Sequence, residues 1–547
     1  MKNMKKMKRL VALALSVVMV LAMSVMAFAD EATEPTYTIT INPAVKGHTY
    51  EAYQIFSGAF SDGKLTDIKW GNGVKQFTYN EKTAAEDIAS VLKDNNVKDF
   101  AKVAGANLTK NTSGIYNGTE GKITGLSAGY YLVKDKDDSV TGQDTYTDYI
   151  LKVAGNVEVS PKTSVPTVEK KVKENVKSTN DDGKETDTRI PNYEVPVKYN
   201  DVADYNIGDD VPFQLIGTMP SNIDSYEHYY YEFDDTLSKG LTYNKNAVVK
   251  INSTDNDTVK VTEVPASITS NGTSLKVVLR DVKGLDGVKV TKDSIITVDY
   301  TAKLNSAASI GLPGNKNEVK LVFSNNPHNS GNGETKPKDT GETPKDTVIV
   351  FTYELDTEKV DGTDNKKLKN AEFILSRKKT EADSEKTETD SEEYAVVDGG
   401  KLVSWTKDKN KATKLVTNED GLIKVAGLDD GTYYLEETKA PEGYNKLIGK
   451  VEVVITASTA NGQTWISENP EDTLVKLEVK TKNPGAKDYV DGIVDNNKGI
   501  GKIKIANNIG STLPSTGGIG TTIFYVVGAI LMVGAAVLLI TKRRAEN

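Results

Sequence analysis

The chain has 547 residues, a length that predicts two to four domains. Its formal net charge of −9 argues against a nucleic-acid partner, which normally requires a basic surface. Cysteine is absent, which excludes disulfide bonds and thiolate–zinc sites, and the three histidines (His48, His228 and His328) lie too far apart in sequence to suggest a metal site. We therefore predict no metal and no cofactor, and we interpret the Asp- and Asn-rich stretch 488–499 as a solvated turn.

The N-terminus has the three-part layout of a secretory signal. Lysines and one arginine come first, an apolar run follows, and the small residues Ala27 and Ala29 form a cleavage site. We predict a signal peptide over residues 1–29, so the mature chain begins at about residue 30.

Between the two ends, alternation of apolar and polar residues dominates, and tyrosine (25) outnumbers phenylalanine (11). Both features favour strands over helices. Five stretches alternate most clearly: YTITI (37–41), LKVVL (275–279), EVKLVF (318–323), KVEVVI (450–455) and KIKI (502–505). Their spacing between Gly, Asn and Asp turns predicts a mainly β chain of β-sandwiches, with one helical candidate over 81–105.

Two breaks divide this pattern into three modules. SPKTSVPTVEKK (160–171) contains two prolines and starts a new strand pattern, and the polar, Gly- and Pro-rich stretch 328–347 lacks periodicity. We predict module one over 30–161, module two over 163–330, a linker over 331–347 and module three over 348–510.

An internal repeat relates modules one and three. ITGLSAGYYLV (123–133) matches VAGLDDGTYYLEE (425–437), which suggests a shared sandwich plan. The first copy contains a G-x-S-x-G match around Ser127, the nucleophile-elbow pattern of hydrolases. A tyrosine-rich strand follows instead of a helix, and the second copy has an acidic residue at the serine position. We therefore interpret Ser127 as a turn residue and predict no enzyme.

The C-terminus combines three features in order. Leu513, Pro514, Ser515, Thr516 and Gly517 form an L-P-x-T-G pentapeptide within 511–518. An apolar segment over 519–541 follows, long enough to cross a membrane, and a basic tail over 542–547 should lie on the cytoplasmic side. Together they resemble the sorting signal of Gram-positive surface proteins. The resemblance implies that a sortase cleaves between Thr516 and Gly517 and passes the Thr516 acyl group to an amine.

The resemblance extends over nearly the whole chain. VEVSPK (157–162) resembles the pilin motif of Gram-positive, sortase-assembled shaft pilins, although Ser160 stands where tyrosine is commoner. HTYEAYQIFSG (48–58), FDDTLSKGLTY (233–243) and EKVDGTDNKKLKNAEFILS (358–376) resemble the successive domains of the same family. The implied fold is a tandem array of immunoglobulin-like β-sandwiches of the CnaA and CnaB types, ending in a transmembrane helix.

The family implies a structural subunit of a covalent, wall-anchored surface pilus, with Lys162 as the amine that accepts Thr516 from the preceding copy. The implied partners are other copies of the chain, sortases and peptidoglycan, with ancillary pilins and a host ligand as further candidates. The alternatives are a monomeric wall-anchored adhesin and an ancillary pilin.

The family also implies Lys–Asn isopeptide bonds inside its domains. A buried lysine loses solvation, so its neutral amine can attack an asparagine amide, and a buried acid shuttles protons while ammonia leaves. Strand parity, combined with the resemblance, selects one triad in each of two modules: Lys170, Asn317 and Asp235 in module two, and Lys359, Asn507 and Glu437 in module three. Since a slip of one residue reverses the face, Lys171, Asp234 and Asn508 remain alternatives.

Module one should lack such a bond. Aligning the repeats on their Tyr-Tyr-Leu segments, with a one-residue gap, places Lys134 where module three has Glu437. The acid is then missing, and we predict no crosslink there.

Overall fold

The computed structural model describes residues 35–545, except 63, 110–114, 154, 176–198, 256–257, 382–388, 461–472 and 510–518. The predicted signal peptide and the L-P-x-T-G pentapeptide lie outside the described residues. Strands make up 49% of the structure and helix 11%, which confirms the mainly β prediction.

Module one is a sheet with two short helices packed on it. Its elements are β1 (Tyr37–Ile41), β2 (Tyr50–Ser61), β3 (Lys64–Trp70), α1 (Ala85–Val91), α2 (Val97–Ala106), β4 (Ile115–Thr119), β5 (Lys122–Leu126), β6 (Gly129–Asp135), β7 (Ile150–Val153) and β8 (Val157–Val159). The strand order is β7-β6-β2-β4-β5-β1-β8, with β3 beside β2. Phe100 on α2 is fully buried and packs in a core with Ile55 and Phe56 of β2, so the helices cover one side of the sheet.

The single helix expected over 81–105 is two helices in the structure. Asn96 breaks it: its side chain accepts a hydrogen bond from the Lys93 amide (2.8 Å) and donates one to the Val91 carbonyl (2.9 Å). These local bonds compete with helical backbone bonds and end α1 before α2 begins.

Module two is a sandwich of two seven-stranded sheets. Its strands are β9 (Val168–Lys173), β10 (Tyr199–Asn200), β11 (Val202–Asp204), β12 (Asp210–Thr218), β13 (Tyr231–Leu237), β14 (Leu241–Tyr243), β15 (Val248–Asp255), β16 (Thr258–Glu263), β17 (Ser267–Asn271), β18 (Ser274–Leu279), β19 (Ile295–Leu304), β20 (Asn315–Ser324), β21 (Thr340–Glu342) and β22 (Asp346–Phe351), with 3₁₀ turns at Ile223–Ser225 and Val282–Gly284. One sheet has the order β10-β9-β12-β19-β15-β16, with β14 beside β19. The other has the order β11-β22-β20-β13-β18-β17, with β21 beside β20.

The segment expected as a linker over 331–347 differs in the structure. β21 pairs with β20, and β22 pairs with both β20 and β11, so this segment completes module two. The apolar run 348–351, placed by sequence at the start of module three, is fully buried in module two. Burial of this apolar run holds the polar segment before it against module two, although the composition of that segment is typical of a linker. Module three therefore begins at about Tyr353.

Module three is one continuous sheet that curls around its core. Its strands are β23 (Tyr353–Asp361), β24 (Glu372–Glu381), β25 (Thr389–Asp398), β26 (Lys401–Thr406), β27 (Leu415–Val416), β28 (Leu422–Leu428), β29 (Gly431–Lys439), β30 (Lys450–Thr459), β31 (Leu474–Lys482), β32 (Val490–Asp491), β33 (Ile493–Asp495) and β34 (Ile500–Asn507), with a 3₁₀ turn at Lys409–Lys411. The order is β32-β31-β30-β29-β24-β25-β26-β28-β23-β34-β33, with β27 beside β24. The first strand, β23, and the last long strand, β34, therefore lie next to each other and run parallel.

After the sandwich domains, α3 (Ile519–Ala545) follows the pentapeptide. A 24-residue part of it, Thr522–Ala545, contains an 18-residue window with a mean hydropathy of 2.8 and is long and apolar enough to cross a membrane. The helix includes the expected span over 519–541 and continues through the basic residues Lys542, Arg543 and Arg544.

Candidate crosslinking sites and an exposed lysine

The module-three triad meets in the core of the sandwich. Lys359, Asn507 and Glu437 are each at most 1% exposed. The Lys359 Nζ donates a short hydrogen bond to the Asn507 Oδ1, and it lies 3.4 Å from the Glu437 Oε1. Glu437 in turn accepts hydrogen bonds from the Asn507 Nδ2 at 2.9 and 3.1 Å, so the three groups form a closed cluster.

Strand register explains this arrangement. On the parallel pair β23–β34, Lys359 lies opposite Ile505, and Asn507 lies opposite Asp361. Lys359 and Asn507 are thus two positions apart on the same face of neighbouring strands, a diagonal spacing that long side chains can bridge. Glu437 projects into the same core from β29 and accepts a hydrogen bond from the Leu447 amide (2.7 Å), which fixes its carboxylate.

The module-two triad is also buried, with a different connection. Lys170, Asn317 and Asp235 are each fully buried. The Lys170 Nζ donates to the Asp235 Oδ2 at 2.5 Å, and not to the asparagine. Lys170 lies on β9 in one sheet, whereas Asp235 on β13 and Asn317 on β20 lie in the facing sheet. A Lys170–Asn317 bond would therefore join the two sheets.

Tyr300 is a fourth member of this cluster, which sequence reasoning missed. Its hydroxyl receives hydrogen bonds from the Lys170 Nζ (2.9 Å) and the Asn317 Nδ2 (2.7 Å) and donates one to the Asp235 Oδ2 (2.8 Å). The only signal in the sequence was parity, because Tyr300 shares a buried face of β19 with Val298 and Ala302.

Burial shifts the pKa values of Lys170, Lys359 and Asp235 in the direction that Lys–Asn isopeptide formation would need. Desolvation lowers the pKa of Lys170 to about 8, although Asp235 opposes the shift, and it lowers the pKa of Lys359 to about 8 against the opposing effect of Glu437. Burial also raises the pKa of Asp235, while Lys170 and Tyr300 limit the increase. The neutral amines of Lys170 and Lys359 and the protonated form of Asp235 are thus more accessible here than in water.

The neighbouring residues that parity left open lie on the opposite faces. Lys171 is only partly buried and pairs with Asp201 at 2.5 Å, while Asp234 pairs with Lys276 at 3.1 Å. Asn508 is exposed. The structure therefore brings Lys170, Asp235 and Asn507 to the cores and leaves their neighbours at the surface.

Lys162 has an exposed side chain on a fixed main chain. Its amide donates to the Thr147 Oγ1 (2.7 Å), and its carbonyl accepts from the Asp148 amide (3.1 Å). It lines a cleft of about 780 Å³ between α2 of module one and loops of module two, which also includes Asp148, Tyr149 and His328. The lysine is thus positioned at a joint and remains open to solvent.

Aromatic stacking and hydrogen bonds hold this joint together. The rings of Tyr149 and His328 stack with centroids 3.5 Å apart, and the His328 Nε2 donates to the Thr147 carbonyl at 2.8 Å. Burial lowers the pKa of His328 to about 4, so the ring is neutral at pH 7. Asp148 accepts hydrogen bonds from Ser225 (2.8 Å) and Asn222 (3.2 Å) of module two.

Three family models match the chain in succession. Residues 207–327 match "Gram-positive pilin backbone subunit 2, Cna-B-like domain", residues 353–469 match "Prealbumin-like fold domain", and residues 506–547 match "LPXTG cell wall anchor motif". The chain is thus similar to Gram-positive backbone pilins in module two, to prealbumin-like domains in module three and to LPXTG cell-wall anchors at its C-terminal end. These matches support the expectation of a structural protein of the cell surface.

Proteins similar to this chain come from several Gram-positive species. The trypsin-resistant surface T6 protein of Streptococcus pyogenes serotype M6 is 25% identical over 389 residues, an alignment that covers 62% of this chain and 65% of the relative. The solved T6 backbone pilin covers 87% of this chain and 98% of its own at 17% identity, with a TM-score of 0.49. The major pilin SpaD of Corynebacterium diphtheriae covers 88% and 100% at 16% identity, with a TM-score of 0.44.

Module one differs from module three, but not at the position that the repeat alignment indicated. The hydroxyls of Tyr131 and Tyr433 both donate to the carbonyl four residues earlier, at 2.9 and 3.0 Å, so these tyrosines are equivalent. Asp135, not Lys134, then corresponds to Glu437. Asp135 is buried and accepts hydrogen bonds from the Thr147 amide and the His48 ring.

Module one has no lysine at the position equivalent to Lys359 of module three. Ile39 pairs with Ile123 as Leu355 pairs with Val425, and four residues further along Pro43 stands where module three has Lys359. We therefore still predict no crosslink in module one, because the amine and not the acid is missing. The G-x-S-x-G serine, Ser127, lies in the turn between β5 and β6, and a strand follows it, as the turn interpretation expects.

Proposed function

We propose that this pilin is the shaft subunit of a covalent fibre, in which Thr516 of one copy is bonded to Lys162 of the next. The observation that carries the proposal is the position of Lys162, exposed beside the cleft between modules one and two with its main chain held by two hydrogen bonds. An amine that is fixed in place and open to solvent suits transfer from a bulky enzyme-bound intermediate.

The proposed reaction is a transpeptidation. A sortase thiolate attacks the Thr516 carbonyl, the Thr516–Gly517 peptide bond breaks, and the Gly517 nitrogen leaves as an amine. The neutral Lys162 Nζ of another copy then attacks the thioester. An amide forms between Thr516 and Lys162, one proton is lost from the amine, and the enzyme thiol is regenerated. Peptidoglycan would supply the final amine at the base of the fibre.

Two internal isopeptide bonds form part of the same proposal. The Lys170 Nζ attacks the Asn317 Cγ in module two, the Lys359 Nζ attacks the Asn507 Cγ in module three, and each asparagine nitrogen leaves as ammonia. Asp235 and Glu437 carry the protons, since each contacts its lysine within the core. Such bonds would bear tension in a chain that has no disulfides.

The fibre is tested by Lys162→Ala in the producing cells. We expect the high-mass ladder of cell-wall extracts, resolved in denaturing gels, to be lost, while Lys152→Ala, an exposed lysine on β7, should leave it intact. A ladder that persists in Lys162→Ala would indicate an ancillary pilin, and wild-type extracts without a ladder would indicate a monomeric adhesin. Either result would overturn the proposal.

The internal bonds are tested by intact mass of the full chain. Each bond removes one ammonia, about 17 Da, so two losses are expected. Peptide mapping should recover Lys170 linked to Asn317 and Lys359 linked to Asn507. A linkage through Lys171 or Asn508, or a linkage inside module one, would contradict the assignments.

A further inference from the structure

Three carboxylates meet at the joint between modules two and three. Asp204 ends β11 of module two, whereas Asp429 and Asp430 form the turn between β28 and β29 of module three. One oxygen from each lies within 4.8 Å of the others, and Asp204 and Asp429 are each 5% exposed. Two modules thus contribute negative charge to one buried space.

Within the described residues, the three carboxylates have polar partners but no cation. Asp429 accepts hydrogen bonds from the Asp430 amide (3.0 Å) and the Asn175 Nδ2 (2.9 Å). Among the residues that the structure describes, no lysine, arginine or histidine forms an ion pair with Asp204, Asp429 or Asp430. The carboxylate of Glu174 adds to the repulsion that Asp204, Asp429 and Asp430 experience. Buried like charges of this kind require a counter-charge or protons.

Unsatisfied oxygen atoms provide a second, independent observation. The Asp204 Oδ2 and the Asp430 Oδ1 are buried without a hydrogen-bond partner in the described part of the chain. Tyr353, which is fully buried, directs its hydroxyl toward Asp204 and makes no hydrogen bond of normal geometry. An enclosed group of oxygen atoms with unused lone pairs is the environment that a hard cation occupies.

We infer that the joint between modules two and three binds a divalent cation, Ca²⁺, through the carboxylates of Asp204, Asp429 and Asp430. Calcium takes six to eight oxygen ligands at about 2.3–2.6 Å in flexible geometry, so three carboxylates with water or carbonyl oxygens suffice, whereas Mg²⁺ demands a near-ideal octahedron. The ion would hold module two to the β28–β29 turn of module three and stiffen the fibre at this joint. The inference does not depend on how the subunits are joined.

The test uses the full chain purified in detergent, treated with EDTA and dialysed. Calorimetric titration with CaCl₂ should give one saturable site, and Tb³⁺ should show luminescence sensitised by the nearby Tyr353 and Tyr433. Saturation with Ca²⁺ should raise the melting temperature. Asp204→Asn and Asp430→Asn should each weaken Ca²⁺ binding at least about tenfold. Asp491→Asn, at an exposed position of β32 in the same module, should bind like the wild type.

The inference is overturned if the wild type shows no saturable binding up to about 10 mM CaCl₂, above the range of weak extracellular sites. It is overturned equally if both variants bind as tightly as the wild type, or if Asp491→Asn alone loses binding. Should Asp204→Asn fail to fold by circular dichroism, Asp430→Asn decides, because Asp430 is only partly buried and its substitution disturbs the core less.

Discussion

The cores of modules two and three assemble the same three kinds of side chain in different ways. In module three, Lys359 contacts Asn507 directly, because both lie on neighbouring parallel strands. In module two, Lys170 contacts the acid Asp235 across the sandwich, and the Tyr300 hydroxyl lies between the lysine and Asn317. In module three, Lys359 thus already contacts the asparagine that it would attack. In module two, Lys170 would first have to break its hydrogen bond to the Asp235 carboxylate.

Contact between lysine and asparagine therefore depends on strand register, whereas the reactivity of the lysine depends on the other polar side chains buried beside it, such as Asp235 and Tyr300. We expect the bond in module three to form faster than the bond in module two. Module one, for which we predict no crosslink, should depend on non-covalent contacts, among them those at its joint with module two.

Removal of the acid should have the largest effect in both cores. Glu437→Ala and Asp235→Ala each leave a buried amine without its partner and without a proton carrier, a change that typically costs about 3–5 kcal/mol of folding free energy. Each variant should retain one ammonia in its intact mass and unfold at a lower temperature.

The two substitutions should act independently. Glu437→Ala should block only the module-three bond, and Asp235→Ala only the module-two bond, as peptide mapping would reveal. If either variant still forms its crosslink at the wild-type rate, the acid has no role in that core.

The joint of module one should weaken in acid because of His328. Its pKa of about 4 in the folded chain lies below the unfolded value of about 6.5, so protons bind the unfolded state more strongly between these values. The neutral His328 ring therefore contributes its full stabilisation of the folded chain above about pH 6.5, and this contribution is lost as the pH falls toward 4. At pH 5 we expect a loss of about 1–2 kcal/mol, allowing for the partial exposure of the ring.

The measurement is limited proteolysis between modules one and two at pH 7 and pH 5. His328→Phe keeps a ring against Tyr149 but cannot be protonated, so cleavage should become less dependent on pH. His228→Gln, which changes another histidine of module two, should keep the wild-type dependence. Equal dependence in His328→Phe and the wild type would show that another group controls the joint.

Tyr300→Phe should change the behaviour of the module-two core and leave the module-three core unchanged. Its effect on stability should be smaller than that of removing the acid. Removal of the hydroxyl leaves Lys170 and Asn317 each without one hydrogen-bond partner, at a typical cost of about 1–2 kcal/mol. The time course of ammonia loss after refolding should change for module two alone. An altered rate in module three would mean that the cores are coupled.

Asn508→Ala should have almost no effect, because its side chain is exposed beside the buried Asn507. The variant should lose the same mass as the wild type and melt at the same temperature within error. Asn507→Ala is the matched comparison and should retain one ammonia. If Asn508→Ala retained one ammonia and Asn507→Ala lost it, the assignment of the module-three bond to Asn507 would be wrong.

Much of the candidate site could be predicted from alternation along single strands. Period-2 patterning selects Lys170 over Lys171 and Asn507 over Asn508, because a buried apolar face allows only one register. The long apolar C-terminal helix and its basic flank follow from composition. The gapped repeat alignment was less successful, since it exchanged Lys134 for Asp135, and only the shared tyrosine hydrogen bond identified the equivalent positions.

The sequence by itself determined the order of modules, the faces of the strands and the type of terminal anchor, because these depend on local periodicity and segment length. Only the tertiary structure decided that Tyr300 joins the module-two triad, that β22 belongs to module two, and that Asp204 meets Asp429 and Asp430. Several of these contacts join residues far apart in the sequence: Lys170 and Tyr300 are 130 positions apart, and β11 pairs with β22 although ten strands lie between them along the chain. Their geometry depends on how sheets pack, which no local pattern encodes.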